Sequence, residues 1–294
     1  MTPSFLSRMA WVFIGIYLNL FAINVAASTS FEIPNSHVHT IHSKALNRTY
    51  DLYIKLPKGY TDPQNSARTY PSIYLNDGPY TFQVAAGVTH LPISSGRFSP
   101  SILVGISYSQ GENGMFSRVR DLTPVKDQSW VKFETGEALN YLTFIESEVI
   151  PFVETHYRAA PNYRTLAGQS LGGSFGVLAL LTKPQLFENY ILTSPSLWIH
   201  DRYLFELEKQ FAAKNTELKA KIYFATGAME TPANGSKNDM VGLQNAFVAK
   251  LRSRNYSSLE VKDDIIEDAY HETTFPIGFT KGALWLYGMN SQKQ

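Results

Sequence analysis

The chain has 294 residues, a formal net charge of +1, 44% hydrophobic and 17% charged residues, and no cysteine. That is a globular composition with enough apolar material for one large α/β domain. The near-neutral charge speaks against a nucleic-acid partner, which calls for a clustered basic excess, and the missing cysteine excludes disulfides, thiolate metal sites and a cysteine nucleophile.

In chain order, Met1 to Arg8 carries one positive side chain, Arg8, and Met9 to Leu18 is unbroken apolar sequence extended by Leu20, Phe21, Ala22 and Ile23. Val25-Ala26-Ala27-Ser28 then offers the small residues a signal peptidase cuts beside. The strictly apolar run is shorter than the roughly 20 residues needed to cross a bilayer. The layout predicts a signal peptide over 1–27, export to the periplasm or beyond, and a mature domain over 28–294. An uncleaved N-terminal anchor is the alternative and also places the domain outside the cytoplasm.

Val38 to Ser43 and Arg48 to Leu56 read as two strands around an Ala45-Leu46-Asn47 turn, the second with clear period-two alternation. Tyr70 to Leu75 reads as a buried strand ending in a tight turn at Asn76-Asp77-Gly78-Pro79, and Ser101 to Tyr108 as another strand. Gly111 to Lys126 has no sustained period and is expected to be a long loop. Phe133 to Glu154 carries Ala138, Leu142, Ile145, Val149 and Phe152 on one helical face, with Pro151 to kink or end it. Strands over Tyr163–Ala167, Asn189–Thr193, Lys221–Thr226 and Leu259–Ile265 alternate with helices over Leu171–Leu181, Arg202–Ala213, Asp239–Ser253 and Pro276–Tyr287. Such alternation implies a mostly parallel sheet with helices on both faces. The two leading strands, with no helix between them, fit an antiparallel edge.

Between the first of these alternating strands and its helix lies Gly168-Gln169-Ser170-Leu171-Gly172, a G-x-S-x-G pattern. Strand, sharp turn, helix is the setting of a nucleophile elbow, which exposes a serine hydroxyl in strained backbone geometry. A serine hydroxyl is a weak nucleophile at neutral pH and needs a base in contact and an acid to orient that base. In the α/β-hydrolase arrangement the order is serine, acid, histidine. Two histidines follow Ser170. His271 sits after the last strand and before the closing helix, at the carboxyl edge of the sheet, and is the expected base; His200 is expected on the surface or rim. Glu230, a few residues past the Lys221–Thr226 strand, is the favoured acid, with Asp239 as competitor although it suits a helix start, and a serine–histidine dyad as the third option. The oxyanion hole needs two backbone N–H groups. Leu171 supplies one; Pro79 has no N–H, so Gly78 or Tyr80 must supply the other, and Gly78 is preferred.

Arg164-Thr-Leu-Ala-Gly-Gln-Ser-Leu-Gly-Gly173, Ser194-Pro-Ser-Leu-Trp198, Arg118-Val-Arg-Asp-Leu-Thr-Pro124 and Leu75-Asn-Asp-Gly78 together resemble the "Putative esterase" family of α/β hydrolases, in the branch around the siderophore trilactone esterases of enterobactin and bacillibactin type. The likeness runs over roughly residues 37–288. It implies a Ser-His-acid hydrolase of carboxylic esters, with Ser170, His271 and Glu230 at the catalytic positions and Arg118, Arg120 and Trp198 lining or bracing the substrate cleft. A planar guanidinium suits a catecholate or carboxylate; alternatively Arg118 or Arg120 bridges to Asp121. The expectation is an exported serine esterase of a small-molecule ester, needing no metal or organic cofactor. A small acyl or feruloyl esterase, an acyltransferase of the same fold and a non-catalytic binding module are the rivals.

Overall fold

Eight strands form one sheet in the order β1-β2-β4-β3-β5-β6-β7-β8 in the computed structural model, which describes residues 30–289. The signal peptide expected over 1–27 lies outside the described residues. The folded unit begins at Ile33. β1 (Ser36–Ser43) and β2 (Arg48–Lys55) are antiparallel to each other, and β2 is antiparallel to β4 (Ile102–Ile106). From there β3 (Tyr70–Leu75), β5 (Ala159–Gln169), β6 (Asn189–Thr193), β7 (Ala220–Gly227) and β8 (Leu259–Ile266) run parallel. The architecture is that of an α/β hydrolase, with the expected antiparallel edge.

Side chains of successive strand residues point to opposite faces, and both faces are covered. Ile73, Leu75, Leu103, Ala167, Ile191, Tyr223 and Ala225 join one core with α1 (Gly78–Ser94) and α8 (His271–Tyr287). Their neighbours of opposite parity, Tyr74, Ile102, Val104, Leu166, Tyr190, Leu192, Ile222 and Phe224, join a second core. That core takes in α2 (Gly114–Leu122), α3 (Ala138–Phe144), α4 (Ile150–His156), α5 (Leu171–Thr182), α6 (Ile199–Ala212) and α7 (Met240–Ser253). Runs such as Tyr190-Ile-Leu192 are therefore apolar throughout, because neither face meets water. Among the described residues no helix is long and apolar enough to cross a membrane.

The segment Gly111–Lys126 is not the loop expected. α2 occupies its middle, capped by the Asn113 side chain, which accepts from Met115 N–H at 2.9 Å. Its buried face includes Ser117, Arg120 and Asp121, so no apolar period marks it. The helix expected from Phe133 starts at Ala138, and a π-helical turn over Ile145–Val149 separates α3 from α4. α8 starts at His271 instead of Pro276; the proline lies inside it.

The chain leaves β3 for β4 on one side and later returns to β5 on the other. That reversal is a topological switch point, where the loops at the carboxyl ends of β3 and β5 diverge and leave a crevice. Leu75 pairs with Ala167, so the Asn76-Asp77-Gly78 turn and the Ser170 turn emerge side by side at this crevice.

Candidate active site

Ser170 stands alone between β5 and α5, at φ 60° and ψ −116°. Few non-glycine residues adopt positive φ, and such strain persists only where surrounding bonds impose it. Here Ser170 N–H donates to Thr193 O at 2.9 Å, while Ser170 O accepts Ser174 N–H at 2.9 Å and Ser196 N–H at 3.2 Å. A Cβ on Gly168 would lie 2.4 Å from the carbonyl carbon and oxygen of Gly172, so this glycine is dictated by backbone against backbone. Leu171 is the first helical residue of α5 and its N–H has no intrahelical acceptor. Gly78 holds the same position in α1, after Asp77 at φ 56°. Tyr80 N–H, the other donor considered, is committed to Asp77 O at 2.9 Å.

The next strand ends bring up the acid and the histidine. Glu230 follows β7 in a tight turn, with its backbone N–H on Gly227 O at 3.0 Å. Its side chain is 3% exposed. Oε2 receives His271 Nδ1 at 2.6 Å; Oε1 accepts Ser194 Oγ at 2.6 Å, Gly227 N–H at 2.8 Å and Thr274 Oγ1 at 2.9 Å. Burial alone pushes this carboxyl up, but the His271 ring N–H, the Ser194 hydroxyl and the Gly227 amide outweigh it and hold Glu230 below the usual carboxylate range. His271 opens α8, with its side chain 40% exposed. Gln169, the residue before Ser170, donates its side-chain amide to His271 O at 2.7 Å and so ties the histidine to the elbow. Among the described residues Ser170 Oγ pairs with Ser196 Oγ, at 3.2 Å, and not with His271. Asp239 is elsewhere: it caps α7, accepting Gly242 N–H at 2.9 Å.

The arrangement is a strained, half-buried serine beside two helix-start N–H groups, with a carboxylate-bound imidazole anchored to the same turn. The family model described as "Putative esterase" matches residues 43–273. The chain belongs to this esterase family. Among its relatives is the ferri-bacillibactin esterase BesA of Bacillus subtilis (strain 168), 31% identical over 232 residues, 74% of this chain and 78% of that one. The siderophore triacetylfusarinine C esterase of Aspergillus fumigatus is 30% identical over 187 residues, 62% of this chain and 63% of that one. Of solved structures, the BES protein of Bacillus cereus superposes with a TM-score of 0.76 at 26% identity, covering 89% of this chain and 98% of its own. The IroE-like serine hydrolase of Shewanella oneidensis gives 0.74 at 26%, covering 86% and 80%. This esterase is thus a carboxylic ester hydrolase acting on a small-molecule ester.

The residues expected to line the esterase's cleft are placed differently from one another. Arg118 Nε pairs with Asp77 Oδ1 at 2.8 Å and its Nη2 donates to Gln169 O at 3.2 Å. It thereby joins the turn after β3 to the strand end before Ser170. Arg120 is 4% exposed and clamps Asp121 through Nε at 2.9 Å and Nη2 at 3.2 Å, with Nη1 on Glu112 at 2.6 Å. Of the two bridges to Asp121 considered, Arg120 makes it and Arg118 does not. Both guanidinium groups are spent on internal partners. Trp198 is half-buried, its ring parallel to Trp130 at a 6.3 Å centroid separation. His200 is not a surface residue: its side chain is 4% exposed and Nδ1 meets Asp127 Oδ2 at 2.9 Å. A cleft of about 480 Å³ lies beside Trp130, Phe133, Lys126 and Glu134; Ser170 and His271 do not line it.

Sequence reasoning missed Ser194, Thr274, Gln169 and Asp77, which fix the acid, the histidine and the turn after β3. Two of them carried a signal. Ser194 is a hydroxyl at a strand end on the site's edge of the sheet, and Thr274 lies three residues past His271, on the same helix face.

Proposed function

We propose that this chain is an exported serine esterase that opens the ester bonds of a siderophore. The observation that carries the reaction is the 2.6 Å contact between Glu230 and His271, anchored through Gln169 to the Ser170 turn. Ser170 Oγ attacks the ester carbonyl as His271 Nε2 takes its proton. Glu230 holds the Nδ1–H tautomer and the charge that forms on the ring. The N–H groups of Leu171 and Gly78 receive the oxyanion. His271 returns the proton to the departing alcohol, leaving an acyl group on Ser170. Water then attacks by the same route reversed, giving the acid and free enzyme. The siderophore substrate is supported by the relatives named for ferri-bacillibactin and triacetylfusarinine C, and export by the leader-like sequence over residues 1–27.

Three measurements test this. Ser170→Ala should lower hydrolysis of p-nitrophenyl butyrate at least about 10³-fold; wild-type turnover in that variant refutes the nucleophile. Mass spectrometry of reactions with ferric trilactone siderophores should find linear products, and intact trilactones with cleaved simple esters refute the siderophore reading. An exported mature chain starting at Ser28 is expected; a cytoplasmic chain retaining Met1 refutes export.

A further inference from the structure

Among the described residues the Ser196 hydroxyl has one hydrogen-bond partner, Ser170 Oγ, at 3.2 Å. Ser196 is 3% exposed, so water does not offer the hydroxyl another acceptor. The backbone that carries this hydroxyl is held in place. Ser196 N–H is bonded to Ser170 O at 3.2 Å, Ser194 N–H is bonded to Ala225 O at 2.7 Å, and Leu197 N–H to Pro195 O at 2.7 Å. Ser194 is fixed at φ 41°, and Pro195 packs where a Cβ on Gly173 would lie 3.1 Å from its Cα.

Two hydroxyls in contact share one proton in the bond between them. If Ser170 donates, its proton points away from His271, and the Ser196 proton is left buried without an acceptor, which is costly. If Ser196 donates, its only proton is satisfied and the Ser170 proton is free for the imidazole. We propose that Ser196 is a further catalytic group, a hydrogen-bond donor to the nucleophile oxygen. This rests on the reading of Ser170 as nucleophile.

The donor acts unequally on the two halves of the reaction. In acylation Oγ forms its bond to the carbonyl carbon, the carbonyl electron pair moves to the oxyanion, and the Oγ proton goes to His271. A donor on Oγ draws electron density from the attacking atom and gives this step little. In deacylation water adds to the acyl carbon and gives its proton to His271. The carbon–Oγ bond then breaks, the electron pair returns to Oγ, and Oγ takes the proton back from His271. Negative charge grows on Oγ as it leaves, and hydrogen bonds to charged atoms are the stronger ones. Ser196 therefore assists the release of the acyl group.

The test is pre-steady-state hydrolysis of p-nitrophenyl butyrate by Ser196→Ala, with intact mass of the quenched enzyme and peptide mapping of the adduct. Deacylation should slow by about tenfold, the value of one hydrogen bond to a developing charge. Acylation should change less than about threefold, so kcat and KM fall together, kcat/KM holds, and acyl enzyme accumulates on Ser170. Ser196→Cys, similar in size but a weaker donor, should deacylate at an intermediate rate with a melting temperature near wild type. Deacylation at the wild-type rate in Ser196→Ala, with the adduct on Ser170, overturns the role of Ser196 and leaves the nucleophile standing. Equal losses in both steps, in both variants, also overturn it, as the mark of a merely structural residue. An adduct on another residue overturns both readings.

Discussion

Replacing Glu230 by glutamine changes one atom and tests how the surroundings fix its orientation. Oε1 of Glu230 accepts from Ser194, Gly227 and Thr274, whereas among the described residues Oε2 meets only His271. A glutamine amide can satisfy those three donors only with its oxygen in the Oε1 place. The reverse orientation sets N–H₂ against a backbone N–H and two hydroxyls in a buried site, where an unsatisfied polar group costs about 1–3 kcal/mol. The amide nitrogen is thus driven towards His271, where it donates to Nδ1. The ring then carries its proton on Nε2, the nitrogen that must accept from Ser170. Loss of the correct tautomer in a triad of this kind costs about 10⁴ in kcat, or about 5 kcal/mol of barrier. The assay is kcat for p-nitrophenyl butyrate beside a urea denaturation curve. Glu230→Gln should be nearly inactive and lose no more than about 1–2 kcal/mol of stability, since the three Oε1 bonds survive. A variant keeping more than a tenth of wild-type kcat would refute the assignment of the acid.

Further outcomes follow from other contacts. Gly168→Ala forces a methyl into the Gly172 carbonyl, so it should cost about 1–3 kcal/mol and most of the activity; a normal urea midpoint with full turnover would contradict the close approach. Arg118→Ala leaves the Asp77 carboxylate, 4% exposed, without its charge partner, and should cost about 3 kcal/mol in urea denaturation; a raised KM with unchanged stability would instead make Arg118 a substrate contact. Because Glu230 titrates lower in the folded chain, its contribution to stability is complete above the unfolded carboxyl value of about 4.3 and is lost as pH falls through the folded value. Wild-type melting temperature should therefore fall more steeply than that of Glu230→Gln below about pH 4.5, and parallel melting curves would contradict the depressed carboxyl.

The sheet was readable wherever burial on both faces made strands continuously apolar. Asn189–Thr193 was placed to the residue. The turn at Ser170 was readable because Gly168 leaves so few alternatives to a strand-turn-helix junction. α2 was not, because its buried face is held by ion pairs of Arg120 and Asp121, which carry no hydrophobic period. The start of α8 was misplaced since Pro276 suits a first helical turn, yet the true start is set by Tyr270 and Thr273, which bond reciprocally across the helix entrance. The order of serine, acid and histidine locates three strand ends, and those ends do converge. It says nothing of the hydroxyls of Ser194, Ser196 and Thr274, whose partners come from distant strands and are known only once the strands are side by side.

The parallel indoles of Trp130 and Trp198 have an optical consequence. Two of the four tryptophans in the chain lie 6.3 Å apart at an interplanar angle of 12°. At that spacing their electronic transitions couple, and a ring this close also alters its neighbour's emission. Trp198 lies two residues beyond Ser196, on the segment that touches Ser170. A molecule that parts or tilts the pair writes its arrival into the ultraviolet circular dichroism and the intrinsic fluorescence. Trp130→Phe removes this coupling, so a ligand that moves either ring can be ranked against that variant without a label and without turnover.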